Sequence, residues 1–174
     1  MATTEKLINR VANSRLKTIN LEKFFPKEEI AEFDLKNFLF KELLLREKDY
    51  RDALKEYDWK EFEGKLVALH CSTDAILPTW AFMLAASYLQ PVAKNIFFGT
   101  KTDLLEKYFR DEIQKIDIEK YEDELIVIKG CSNHPVPVSA YVELTSALRP
   151  FARSIMFGEA CSAVPIFKKT RGRR

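Results

Sequence analysis

Three cysteines, each followed by a serine, are the side chains of this sequence best suited to chemistry: Cys71-Ser72, Cys131-Ser132 and Cys161-Ser162. The only two histidines, His70 and His134, lie beside the first two pairs, and Asp74 and Glu159 lie close to the first and third. Thiolate and imidazole suit soft metals and iron–sulfur clusters. If the loops converge, Cys71, Cys131, Cys161, His134, His70, Asp74 and Glu159 therefore form a candidate site for a soft metal ion, an iron–sulfur cluster or sulfur chemistry. The same set would also serve a nucleophilic thiol with a histidine as its base. No CxxC or HExxH spacing occurs, so this reading depends on convergence rather than on a ligand motif. Against it stands the ordinary use of cysteine as a small buried hydrophobe. A third reading uses Ser72, Thr79, Ser132 and Ser139, whose loops lead into expected helix N-termini where N–H groups and hydroxyls receive a small anion. A nucleotide cradle of the familiar kinds is not expected, because neither GxGxxG nor GxxxxGK[ST] is present in a chain with 5 glycines.

Whether those loops converge depends on the elements that carry them, and these come from a stretch that occurs twice. Residues 62–99 and 121–158 align without a gap at an offset of about 59, with about 11 of roughly 38 positions identical. The matches include Leu66 with Leu125, Pro78 with Pro137, Pro91 with Pro150, and Phe98-Gly99 with Phe157-Gly158. Each copy opens on an apolar run of strand length, Lys65 to Leu69 and Leu125 to Ile128, of the kind buried on both faces in a parallel sheet. A turn-forming loop, an Ala-rich or apolar helix (Thr79 to Leu89; Val138 to Leu148) and a second short strand (Asn95 to Phe98; Ser154 to Phe157) complete it. Trp80, Phe82 and Tyr141 on these helices read as core before ligand platform.

Around the copies, Leu16 to Leu21 and Ile30 to Leu35 read as short strands and Leu43 to Leu45 as a strand leading into a helix that Asp49 would cap. Thr100 caps an amphipathic helix, Asp103 to Ile116. A final strand, Ala163 to Phe167, forms an edge. The alternation predicts an α/β fold: a largely parallel central sheet flanked by helices, containing two duplicated strand-helix-strand units and preceded by a small N-terminal region. The loops after Leu69, Phe98, Ile128 and Phe157 would then share one rim, where open sheets of this class bind ligands.

A length of 174 residues fits a single domain, and a net charge of +2 gives no body-wide attraction to nucleic acid or membrane. The basic tail at 168–174, KKTRGRR, reads as a solvated end. The chain has no apolar run of membrane-spanning length and no signal-peptide pattern at its start, and its odd cysteine count argues against a disulfide framework, so a cytoplasmic location is expected. The alternative to a thiol or anion site is a non-enzymatic interaction protein with structural cysteines. It would use an apolar patch in the aromatic-rich segment 24–40, or a homodimer formed through the sheet edge near 163–167.

Several runs are distinctive enough to compare: Pro135-Val-Pro-Val-Ser-Ala-Tyr-Val-Glu-Leu-Thr, Ser154-Ile-Met-Phe-Gly-Glu-Ala-Cys-Ser-Ala-Val-Pro165, Ile8-Asn-Arg-Val-Ala and Pro78-Thr-Trp-Ala-Phe-Met. On these the chain resembles a bacterial family defined by a domain of unknown function. The resemblance implies a single-domain cytoplasmic protein with no catalytic residues to carry over. It also implies gene neighbourhoods with iron–sulfur assembly components, which would make such proteins its partners.

Overall fold

The computed structural model describes residues 16–130, 133–159 and 162–170. The strands are β1 (Leu16–Asn20), β2 (Ile30–Asp34), β3 (Leu66–His70), β4 (Asn95–Phe98), β5 (Leu125–Lys129), β6 (Ser154–Phe157) and β7 (Val164–Lys168). The helices are α1 (Glu47–Glu56), α2 (Thr79–Leu89), α3 (Lys101–Gln114) and α4 (Val138–Leu148), with short 3-10 turns between them. The fold is α/β and its pairing is largely parallel. That pairing is divided between two sheets, in the orders β2-β3-β4 and β1-β5-β6-β7. The described residues correspondingly fall into two compact units: a nested one, Pro26–Tyr108, and a flanking one built from those up to Phe25 and from Phe109 onward.

The duplication is visible in the hydrogen bonds. The Gly99 N–H donates to the Leu69 carbonyl and the Gly158 N–H to that of Ile128. Likewise Lys94 N–H bonds to Lys65 and Arg153 N–H to Glu124, at equivalent places. Gly64 and Asp123 occupy the same turn position with φ of 70° and 53°. The repeat also extends further than the sequence alignment suggests. Asn20 and Asp34, at the ends of β1 and β2, each accept the backbone N–H two residues on, from Glu22 and Lys36. Each opens a 3-10 turn with a fully buried leucine, Leu21 or Leu35. Thus β1 completes the second copy and β2 the first, in matching registers: Leu16 beside Leu125 and Ile30 beside Leu66.

Three local expectations are corrected. No strand forms at Leu43–Leu45; an isolated bridge joins Phe40 to Leu44 across a tight turn in which Lys41 and Glu42 have positive φ. Helix α1 begins at Glu47 after Arg46, so Asp49 lies inside its first turn, where its charge suits the helix dipole, and is not the cap. The aromatic-rich segment 24–40 supplies core at Phe33 and Leu35, and of its large hydrophobics Phe40 alone is exposed, at 41%. The Phe33 ring, 2% exposed, meets those of Phe38, Tyr57, Trp59 and Phe62 at 5.2–5.7 Å. Burial and edge or stacked contacts of this kind make a Phe-to-Ala change there cost about 3–5 kcal/mol.

Candidate functional site

In the nested unit, β2, β3 and β4 end together, and polar side chains gather at that end. The Asp34 Oδ1 accepts the N–H of Lys36 at 2.9 Å and that of Ser72 at 3.0 Å, which ties the loop after β3 to the end of β2. Burial acts to raise the Asp34 carboxyl, but hydrogen bonds from Ser72 and Lys36 and the neighbouring His70 outweigh it and hold the group below its ordinary value. His70, at the end of β3, has its Nε2 3.6 Å from Glu32. Cys71 is a free, half-buried thiol whose Sγ lies 3.3 Å from the Thr73 hydroxyl. After β4, Asp103 accepts the Thr100 N–H at 2.8 Å and its hydroxyl at 2.7 Å. These bonds lower its carboxyl and close a capping box at the start of α3. Gly99, with φ of 121°, makes room for this: a Cβ there would stand 2.7 Å from the Asp103 Cβ.

The flanking unit arranges the same end of its sheet differently. Lys129 holds the place of His70, and its Nζ bonds to Glu159 at 3.1 Å. One carboxylate oxygen of Glu22 accepts the N–H groups of Asn133 and His134, and the His134 ring stacks on Phe25 at 4.4 Å. The loop N–H of Ser72 is thus held by Asp34, and those of Asn133 and His134 by Glu22, carboxylates of the chain itself. Thr79 opens α2 and Ser139 is the second residue of α4, where its Oγ is buried with no hydrogen-bond partner among the described residues. Asp74 is described, while Cys131, Ser132 and Cys161 lie outside the described residues.

Because β3 and β4 belong to one sheet and β5 and β6 to another, the four loops do not lie on the rim of a single sheet. That removes the premise on which the thiol loops were expected to converge. Among the described residues, no group of three or more His, Cys, Asp or Glu side chains is placed to hold a metal ion.

What both units do share is an uncharged, exposed helix face. On α4 it runs through Val138, Val142 and Ser146; on α2 the same positions are Thr79, Met83 and Ser87. Ser87 Oγ donates to the Leu84 carbonyl and Ser146 Oγ to that of Val142, so both hydroxyls turn back onto their own helix. Beside each stripe an aromatic pair meets edge-on, Phe82 with Phe98 at 5.3 Å and Tyr141 with Phe157 at 5.6 Å. In the flanking unit the surface dips into an open apolar groove of about 530 Å³ between α4 and the β6–β7 edge, lined by Val138, Tyr141, Val142, Met156, Phe157 and Ile166. The signal for it in the sequence is the near absence of charge from both helices: α2 has none and α4 only Glu143.

The family model described as Protein of unknown function (DUF2480) matches residues 5–169. The chain belongs to that family. The match spans both copies of the duplication, so the paired helix faces lie within the DUF2480 region. No curated protein and no solved structure matches the chain. No helix among the described residues is long and apolar enough to cross a membrane.

Proposed function

We propose that this DUF2480 protein is an interaction protein, and that its duplicated helix faces are docking surfaces. The observation that carries the reading is the repetition. Two helices in equivalent places expose an apolar side chain, Met83 or Val142, at the same position, beside an exposed aromatic ring, Phe98 or Phe157. In a chain with 31% charged residues, a helix face meant for water would carry charge. The serines on both stripes have their hydroxyls satisfied within the helix, which leaves small, dry surface suited to close approach of another element.

Hydroxyl-radical footprinting tests this without knowledge of the partner. In cells that make the protein, Met83, Phe98, Met156 and Phe157 should be oxidised several-fold more slowly than in the purified chain at nanomolar dilution. Equal rates in the two settings would refute the docking reading.

A further inference from the structure

We infer that the α4 face of the flanking unit is covered by a second copy of this chain, the two α4 helices crossing about a two-fold axis near Val142. The inference rests on the docking reading and names the occupant of one of its faces.

Area is the first argument. Val138, Val142, Val164 and Ile166 are 76%, 59%, 55% and 53% exposed and Phe157 44%. Together they offer roughly 500 Å² of apolar surface, which doubled across a two-fold contact reaches the ~1,000 Å² at which specific interfaces begin.

Self-complementarity is the second. An isologous contact sets a patch against itself, so an unpaired charge close to the axis would meet its own like. The charged side chain within α4, Glu143, is held by Arg110 at 2.8 Å. Val138, Val142 and Ser146, four residues apart, form one ridge centred on Val142, and Ser146 at its end keeps the helices close.

The neighbouring sheet edge is the poorer route to a dimer. Register in β7 shifts opposite Ile155 and Met156, and Pro165 has no N–H to offer, both of which blunt an edge strand. The contact therefore runs through the helix face, with the groove receiving side chains from the partner's α4.

The test is sedimentation velocity of the full chain from about 1 to 300 µM, a range suited to an interface at the low end of the size scale. The wild type should pass from monomer to dimer within it. Val142→Glu brings two carboxylates together at the axis and should raise the dissociation constant roughly 100-fold while leaving the melting temperature unchanged at about 1 µM, where the wild type too is monomeric. Met83→Glu, at the equivalent position on α2, should dimerise as the wild type does. A wild type that stays monomeric throughout, a Val142→Glu chain that still dimerises, or a dimer lost in Met83→Glu instead would each overturn the inference. Protection of the faces in cells alongside a monomeric purified chain would sink the second copy and leave the docking reading standing; equal footprints would sink both.

Discussion

Asp34 fastens the loop that carries Cys71 to the neighbouring strand, and Asp34→Ala should expose how much that fastening contributes. The substitution removes the acceptor for two N–H donors, at 2.9 and 3.0 Å. A hydrogen bond to a charged group contributes about 1.5–3 kcal/mol net when buried; Asp34 is partly open to water, so about 1 kcal/mol for each bond is the better figure. Asp34→Ala should therefore cost about 2 kcal/mol, and Asp34→Asn, which keeps an acceptor oxygen but loses the charge, about 1 kcal/mol. Both tryptophans, Trp59 and Trp80, belong to the nested unit, so their fluorescence in urea follows that unit alone. With a slope of about 1–3 kcal/mol per molar urea, the Asp34→Ala midpoint should fall by about 1 M at pH 7. Since the folded carboxyl titrates below its unfolded value, its contribution is complete above about pH 4 and is lost as pH falls through the lowered folded value. The gap between wild type and Asp34→Asn should thus shrink on going from pH 5 towards pH 2. Coincident midpoints for wild type and Asp34→Ala at pH 7, or a wild type to Asp34→Asn gap that does not change with acid, would refute the account.

The duplication supplies its own controls for other substitutions. Gly99 and Gly158 both have positive φ, 121° and 109°, but an added Cβ would strike Asp103 at the first and meet nothing closer than 3.9 Å at the second. Both alanine variants should lose stability to backbone strain, and Gly99→Ala about 1 kcal/mol more for the disturbed cap; equal losses on thermal unfolding would contradict this. The fully buried Tyr50 donates its hydroxyl to the Ala81 carbonyl at 2.9 Å, so Tyr50→Phe should cost about 1–2 kcal/mol in urea, and a neutral change would show that the bond contributes nothing net. Cys71→Ser keeps a group able to reach the Thr73 hydroxyl and should move the urea midpoint by less than about 0.5 M; a larger loss would mean that the sulfur is packing, not polar contact.

The strands and helices of the two copies were legible because burial on both faces leaves a continuous apolar run, and because two copies of one pattern confirm each other. The N-terminal strands were legible as strands but not as partners. Leu16 to Asn20 and Ile30 to Asp34 carry the same local signals, with one buried side chain each, Ile19 and Phe33, and a polar cap at the end. Nothing in either segment says which sheet it will join, since that choice is made by residues far along the chain. The single shared rim expected for the cysteine loops failed with it. Reading chemistry from residue type drew attention to His70 and Cys71, whereas the feature common to both units is a stretch of helix from which charge is missing. Absence of charge registers only against the composition of the rest of the chain.

The pairing of β1 with β5 has a consequence for how the chain acquires its structure. The nested unit is continuous in sequence, and each of its strands finds its neighbour within a few tens of residues. Its sheet can close while the remainder of the chain is still being synthesised. The flanking sheet cannot, because Leu16 waits for Leu125 and the edge strand ends at Lys168. Loop-closure entropy makes such distant pairings slow, and until β5 arrives β1 presents open hydrogen-bonding edges and an apolar Ile19 to any other strand. The most similar strand at hand is β2, built on the same pattern and already engaged with β3. The shorter loop between β2 and β3 favours that pairing over one of β1 with β3, and occupation of β3 by β2 leaves β1 to wait for β5.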